Sequence, residues 1–150
     1  MVNHALALFP VALLGGAPAT LVGPAAVVQA LFMDHFRHGM GFTKASVARK
    51  AKWLSVDLLH QLNAELDRPK DPALVPNING DPFTDSQEFP KRFVVGKAEI
   101  RGDVTRIPVI FIGNGHRRTV AARLRKTSEG WRLDDLVYED GRTLRGTLGK

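Results

Sequence analysis

The chain has 150 residues, of which 44% are hydrophobic and 24% charged, a balance typical of a globular protein and not of a disordered or fibrous one. It has no cysteine, which excludes a disulfide framework, a thiolate metal site and a cysteine nucleophile. The net charge of +6 is uneven, because residues 91–150 carry 14 basic and 7 acidic side chains and residues 1–90 carry 7 and 8.

The N-terminal segment has the pattern of an export signal. Its first 19 residues contain no Lys, Arg, Asp or Glu and end in Ala17-Pro18-Ala19, which fits a small-x-small cleavage site. Only His4 stands where a signal peptide usually has Lys or Arg. We therefore expect residues 1–19 to be a signal peptide, residues 20–150 to be a single domain and the location to be periplasmic or secreted. The alternative is an apolar N-terminal segment that the folded protein retains.

Helical patterns follow in the next part of the chain. The first begins at Pro24, a residue favoured at the first helical position, and has one apolar face. Residues 43–53 form a second candidate helix. A third begins after Ser55, which is a good N-cap residue, and its apolar stripe includes Leu58 and Leu62.

Strand patterns with a period of two residues occupy the chain after residue 91. A glycine-rich turn around Asn114 predicts a hairpin, and Pro108 marks an edge strand, a bulge or a sharp bend because proline cannot donate to a sheet ladder. The apolar phase changes near Asp134, which predicts a bulge there. The sequence therefore predicts an α+β fold in which N-terminal helices pack on one face of a curved antiparallel sheet of about four strands.

Several phrases resemble a bacterial family of exported domains of unknown function in the nuclear-transport-factor-like (cystatin-like) superfamily. They are "DPFTDSQEFPKRFVV", "VIFIGN" and above all "GWRLDDLVYEDGRTL". The resemblance implies a cone, made by a curved sheet wrapped over helices, with a cavity at its open end. It implies no single activity, because the superfamily includes isomerases, dehydratases and binding domains.

The stretch "NINGDPFTDSQE" is rich in side-chain oxygen atoms. Its spacing resembles that of a calcium loop, with candidate ligands at Asn77, Asn79, Asp81, Asp85 and Glu88. Pro82 stands where such a loop needs glycine, so a structural loop is the favoured interpretation. In that interpretation Asp81 and Asp85 cap backbone amides, and Phe83 and Phe89 fix the loop to the core.

A second candidate site is catalytic. Asp134 or Asp135, joined by His35 or Tyr138, would form a pocket for proton abstraction of the isomerase or lyase kind. Asp34 and His38, one helical turn apart, are a weaker candidate for a metal or an acid–base pair. We favour no catalysis, since the chain has no P-loop, dinucleotide-binding, serine-hydrolase or zinc-protease motif, and we expect no cofactor.

A third candidate site is basic. Arg117, Arg123 and Arg125 share one phase of a strand and should lie on the solvent face of the sheet. Nucleic acid is disfavoured because the row has no aromatic side chains for stacking bases.

The favoured prediction is thus an exported binding domain without catalytic activity. It would contact a small ligand at the mouth of the cone or an acidic protein through the basic face, with Asp81 and Asp85 as further binding residues. A homodimer through the sheet face is an additional possibility.

Overall fold

The computed structural model describes residues 23–149, so the predicted signal peptide lies outside the part that is described. Within it, the helices are α1 (Pro24–Arg37), α2 (Lys44–Lys50), a 3₁₀ helix (Ala51–Trp53), α3 (Val56–Asp67) and α4 (Leu144–Thr147). The strands are β1 (Arg92–Val95), β2 (Glu99–Arg101), β3 (Val104–Gly113), β4 (His116–Thr127) and β5 (Gly130–Val137). The predicted α+β class is confirmed.

Local chemistry explains where the helices begin. Pro24 is the first residue of α1, as predicted. At α2 the Thr43 hydroxyl accepts a hydrogen bond from the Ser46 amide and the Ser46 side chain bonds back to Thr43, which makes a reciprocal cap. At α3 the Ser55 side chain accepts from the Leu58 amide. All three predicted helices therefore form.

The sheet is antiparallel and has five strands, one more than predicted. Its order is β1-β3-β4-β5, and β2 also pairs with β3. The extra strand arises because the chain that faces Pro108 is divided into β1 and β2. Pro108 itself lies in β3, which has neighbouring strands on both sides, so it is not on an edge strand. The strand that faces Pro108 is interrupted instead, at Gly96. The Gly96 amide donates to the Pro108 carbonyl, and a Cβ at Gly96 would lie 2.6 Å from the proline ring.

The predicted bulge is present in β5. The register between β4 and β5 shifts between Arg123 and Leu124, which pair with Asp135 and Leu133 and leave Asp134 as the extra residue. The bulge turns Asp134 towards Ser55, whose hydroxyl donates to it over 2.8 Å. It thereby ties the sheet to the start of α3.

One hydrophobic core joins the helices to the inner face of the sheet. Leu58 and Leu62 of α3 are fully buried in it, as is Leu124 of β4. An aromatic cluster of Phe32, Phe36, Phe93 and Phe111 fills the space between α1 and the strands β1 and β3. Side chains of this size each contribute about 1.5–3 kcal/mol when buried. No helix within residues 23–149 is long and apolar enough to cross a membrane.

Candidate functional site

The loop from Asp81 to Ser86 is closed by its own backbone. The Asp81 amide donates to the Ser86 carbonyl over 2.8 Å, and the Ser86 amide donates back over 3.3 Å. Between these residues Phe83 enters the core and is fully buried. The structural interpretation of this stretch is confirmed for Asp81 and Phe83, whereas Phe89 stays 48% exposed.

Asp81 is the centre of this loop. Its carboxylate accepts hydrogen bonds from the Phe83 amide (3.1 Å), the Thr84 hydroxyl (2.8 Å) and His35 Nε2 of α1 (2.7 Å). The side chains of Asp81 and His35 are both inaccessible to solvent. Because Thr84 donates to Asp81, the hydroxyl of Ser86, 2.6 Å from that of Thr84, donates to Thr84. This chain of hydrogen bonds anchors the loop to α1.

Two further contacts hold the same loop. The Tyr138 hydroxyl donates to the Pro82 carbonyl over 2.8 Å, and burial raises the pKa of Tyr138 far above its usual value of 10.0. Lys50 of α2 is buried with its ammonium 5.1 Å from the centre of the Phe83 ring. Burial lowers the pKa of Lys50, and the Asp34 carboxylate 3.7 Å away opposes that shift.

An open polar pocket of about 500 Å³ lies on the outer side of this loop, and we call it the Asp85 pocket. Three segments meet there: the loop that contains Asp85, the hairpin between β3 and β4, and the segment after β5. Its lining residues are Asn77, Asn79, Thr84, Asp85, Ser86, Gln87, Glu88, Pro90, Phe111, Gly113, Asn114, His116, Arg118 and Arg142. The pocket therefore offers amides, hydroxyls and charges of both signs.

Two arginines hold Asp85. Arg142 Nη2 lies 3.3 Å from Asp85 Oδ1, and Arg118 Nη1 lies 3.6 Å from Asp85 Oδ2. Arg142 also lies over the Tyr138 ring at 5.2 Å and hydrogen-bonds Asp140. That hydrogen bond lowers the pKa of Asp140 and raises that of Arg142, so both side chains stay charged at neutral pH. The pocket thus has fixed charges at its centre.

The backbone is unusual at the same place. Asp85 and Asn114 have φ angles of 50° and 54°, and they are the two non-glycine residues with positive φ within residues 23–149. Both line the Asp85 pocket. Asn114 is explained by the hairpin turn, and its amide group donates to the Phe89 carbonyl. Strained residues are concentrated at functional sites, so this coincidence selects the pocket as the candidate site.

The candidate calcium ligands do not converge in the structure. Asp81 faces inwards to His35, whereas Asp85 faces Arg118 and Arg142. Asn77, Asn79 and Glu88 line the pocket wall. No group of three or more His, Asp or Glu side chains suited to a metal ion is found in the described part of the chain. Asp34 lies 3.9 Å from His38 Nε2, as the weaker candidate pair predicted, and it is also held by Arg49 and Lys50.

The candidate catalytic residues each have a different partner. His35 bonds Asp81, and Tyr138 bonds the Pro82 carbonyl. Asp134 accepts from Ser55 and Arg145, and Asp135 accepts from the backbone amides of Leu136 and Arg145. Phenylalanine and leucine side chains fill the interior where a substrate cavity was expected. The structure does not assemble these four residues into one pocket.

Arg117, Arg123 and Arg125 of β4 are exposed on the outer face of the sheet, and Val120, Ala122 and Leu124 face the core. This alternation is confirmed. However, the three arginines do not form one free row. Arg123 and Arg125 lie 3.9 and 3.5 Å from the carboxylates of Asp135 and Asp134, and Thr119 and Ala121 separate them from Arg117. Part of the basic charge is therefore neutralised within the molecule.

Four residues that line the pocket were not predicted from the sequence: Ser86, His116, Arg118 and Arg142. Arg118 could have been found from the alternation in β4. It faces the same side of the sheet as Val120 but lies near the end of the strand, beyond the core. No sequence pattern indicated Arg142, because only the folded chain brings the segment after β5 next to residue 85.

Comparison with known proteins shows the class of fold. No family model and no curated protein matches the chain. Two solved structures share the fold, at 18% sequence identity each. They are the selenomethionine and native forms of the type VI effector–immunity complex Tae3–Tai3 from the bacterium Ralstonia pickettii. The first has a TM-score of 0.60 and is matched over 97% of its chain and 78% of this one. The second has a TM-score of 0.52, with 92% and 77% covered.

This comparison contradicts the function predicted from the sequence. We expected a binding domain without catalytic activity that contacts a ligand at a cone mouth or an acidic partner through its basic face. The matching structures are instead effector–immunity complexes, and neither matches the isomerase or lyase alternative. The filled interior also removes the cavity at the cone mouth on which one part of the predicted function depended.

Proposed function

We propose that the chain is one protein of an effector–immunity pair and that it contacts the other protein through the Asp85 pocket. The fold match carries this proposal, because it extends over 97% of a chain from such a complex. A match of that extent involves the whole architecture and not one common motif.

The chemistry of the pocket supports a protein as its occupant. Arg118 and Arg142 are 44% and 54% exposed, so a partner can reach them from solvent while Asp85 keeps them in place. Charges of both signs that are fixed before binding give orientation and specificity to a protein complex. Amides at Asn77, Asn79 and Asn114 add donors and acceptors around them.

The proposal includes three predictions that the sequence made. Export through cleavage near residue 19 would place the pair outside the cytoplasm, and N-terminal sequencing of the protein from its host tests it. Kinship with the nuclear-transport-factor-like superfamily would account for helices packed on an antiparallel sheet. A homodimer through the outer sheet face is compatible with a partner at the pocket, and sedimentation of the purified chain tests it.

The test uses two neighbouring residues that face opposite sides of β4. Benzoylphenylalanine is incorporated at position 118, in the pocket, or at position 117, on the outer face, and cells of the native host are irradiated. We expect one protein adduct from position 118 and none from position 117. The captured protein and this chain are then expressed separately and together in a bacterial host.

We expect one of the two proteins to arrest growth when it is expressed alone and the other to restore growth. Two proteins that bind without either affecting growth would contradict the effector–immunity proposal. The absence of an adduct at position 118 would contradict the assignment of the pocket as the contact surface.

A further inference from the structure

An exposed apolar turn stands next to the Asp85 pocket. Leu74 is 69% exposed and Val75 is 86% exposed, and they are consecutive residues in the segment between α3 and the pocket wall. Residues 70–77 are all exposed. We call residues 71–76 the Leu74 turn. Two adjacent aliphatic side chains this exposed are typical of a contact surface when they lie beside a polar site.

The Leu74 turn has a defined shape. Asp71 Oδ1 accepts from the Ala73 amide over 2.9 Å, and the Asp71 carbonyl accepts from the Leu74 amide over 3.1 Å. Pro72 and Pro76 restrict the backbone on either side of the two apolar residues. A turn that is already ordered loses little conformational entropy when it binds.

The base of the turn is fixed to the pocket. Asn77 and Asn79 line the pocket, and Ile78 between them packs against the core. Gly80 follows at a φ of 91°, where a Cβ would lie 2.4 Å from the Ser86 carbonyl oxygen. The turn therefore leads directly into the pocket wall, with Val75 two residues before Asn77.

We propose that Leu74 and Val75 are the apolar anchor of the contact with the partner protein and fit an apolar cleft on it. This inference rests on the proposed function. An apolar centre with a polar rim is the arrangement of protein interfaces, and the burial of aliphatic side chains away from water favours association. A lipid surface fits less well, since insertion of the tip would bring the carboxylate of Asp71, which lies in the same turn, towards hydrocarbon.

The chain offers a matched control. Val56, at the first position of α3, is 83% exposed and is also an aliphatic residue. The variants Val75→Asp and Val56→Asp therefore place the same charge at two exposed valines, one in the turn and one outside it. Neither side chain contributes to the core, so circular dichroism and melting temperature should stay unchanged for both.

The experiment combines cross-linking with binding. Benzoylphenylalanine at position 75 should capture the protein that position 118 captures. Titration of that protein should give a Kd at least roughly tenfold weaker for Val75→Asp, and within about twofold of the unmodified chain for Val56→Asp. Both variants are also sedimented with vesicles of phosphatidylethanolamine and phosphatidylglycerol.

The outcomes separate the two proposals. An adduct from position 118 but not from 75, or an unchanged Kd for Val75→Asp, overturns the anchor and leaves the proposed function standing. No adduct from either position overturns both. Vesicle binding that Val75→Asp abolishes and Val56→Asp preserves also overturns the anchor, because the turn would then contact lipid.

Discussion

The hydrogen bonds to Asp81 lead to a quantitative prediction about stability. The variant Asp81→Ala removes the acceptor for His35 Nε2, the Thr84 hydroxyl and the Phe83 amide, at 2.7, 2.8 and 3.1 Å. The His35 side chain stays buried without its partner. Leaving a buried donor without an acceptor costs about 1–3 kcal/mol, so the loss of three such hydrogen bonds should cost at least about 3 kcal/mol.

That cost is a large part of the total stability of a domain, which is about 5–15 kcal/mol. At about 2–4 °C per kcal/mol for a chain of this size, we expect the melting temperature of Asp81→Ala to fall by about 10 °C. Differential scanning calorimetry and urea unfolding measure the change. The control is Asp140→Ala, because Asp140 is half exposed and its contacts, with the side chain and the backbone amide of Arg142, lie at the surface.

Asp140→Ala should melt within about 2 °C of the unmodified protein. An equally small change for Asp81→Ala would refute the reasoning, since it would mean that the link between His35 and Asp81 does not hold the loop. A second readout is proteolysis, which should cut Asp81→Ala between residues 77 and 90 before the chain unfolds globally.

Three further predictions follow from single residues. Tyr138 is the one tyrosine of the chain, so absorbance at 295 nm reports its ionisation directly. Because burial raises the pKa of Tyr138, tyrosinate should appear only as the protein unfolds. The free energy of unfolding should therefore fall as the pH rises above 10.0, the pKa of tyrosine in the unfolded chain. A reversible native titration near pH 10.0 would contradict this. Lys50 should give the opposite pH dependence of stability. Burial lowers the pKa of Lys50 in the folded protein, so the unfolded chain binds more protons. The stability of the unmodified protein relative to Lys50→Met should therefore rise with pH up to 10.5. Urea unfolding at about pH 8 and about pH 10 tests it, and an unchanged difference would argue against burial of a charged lysine. Gly80→Ala should be at least about 1 kcal/mol more destabilising than Gly115→Ala, because both have positive φ but only Gly80 faces a backbone oxygen within 4 Å; equal losses would disprove the close approach.

Much of the fold was predictable because it depends on local chemistry. Pro24 and Ser55 define helix starts through their own backbone and side-chain bonds, and the alternation in β4 follows from the pleat of a strand. The bulge at Asp134 was visible as a change of phase. The fifth strand was not predictable, because Pro108 disturbs the facing edge at Gly96 and that pairing is a property of the folded sheet.

The candidate site was less predictable. The stretch from Asn77 to Glu88 was selected correctly as a polar loop, but its residues face two directions: Asp81 to the core and Asp85 to the pocket. Side-chain spacing in a loop with several turns does not define which face each residue takes. The pocket also requires Arg142, which is 57 residues from Asp85 along the chain.

The most direct test of the account compares binding by Arg118→Glu and Arg117→Glu. These neighbouring residues are exposed arginines on opposite faces of β4, so the two variants have the same charge and differ in the surface they alter. With the protein captured in the host as the titrant, we predict that Arg118→Glu, which places a second negative charge beside Asp85, weakens binding at least roughly tenfold and that Arg117→Glu binds within about threefold of the unmodified chain. Loss of binding in Arg117→Glu with retention in Arg118→Glu would place the contact on the outer sheet face and contradict the account.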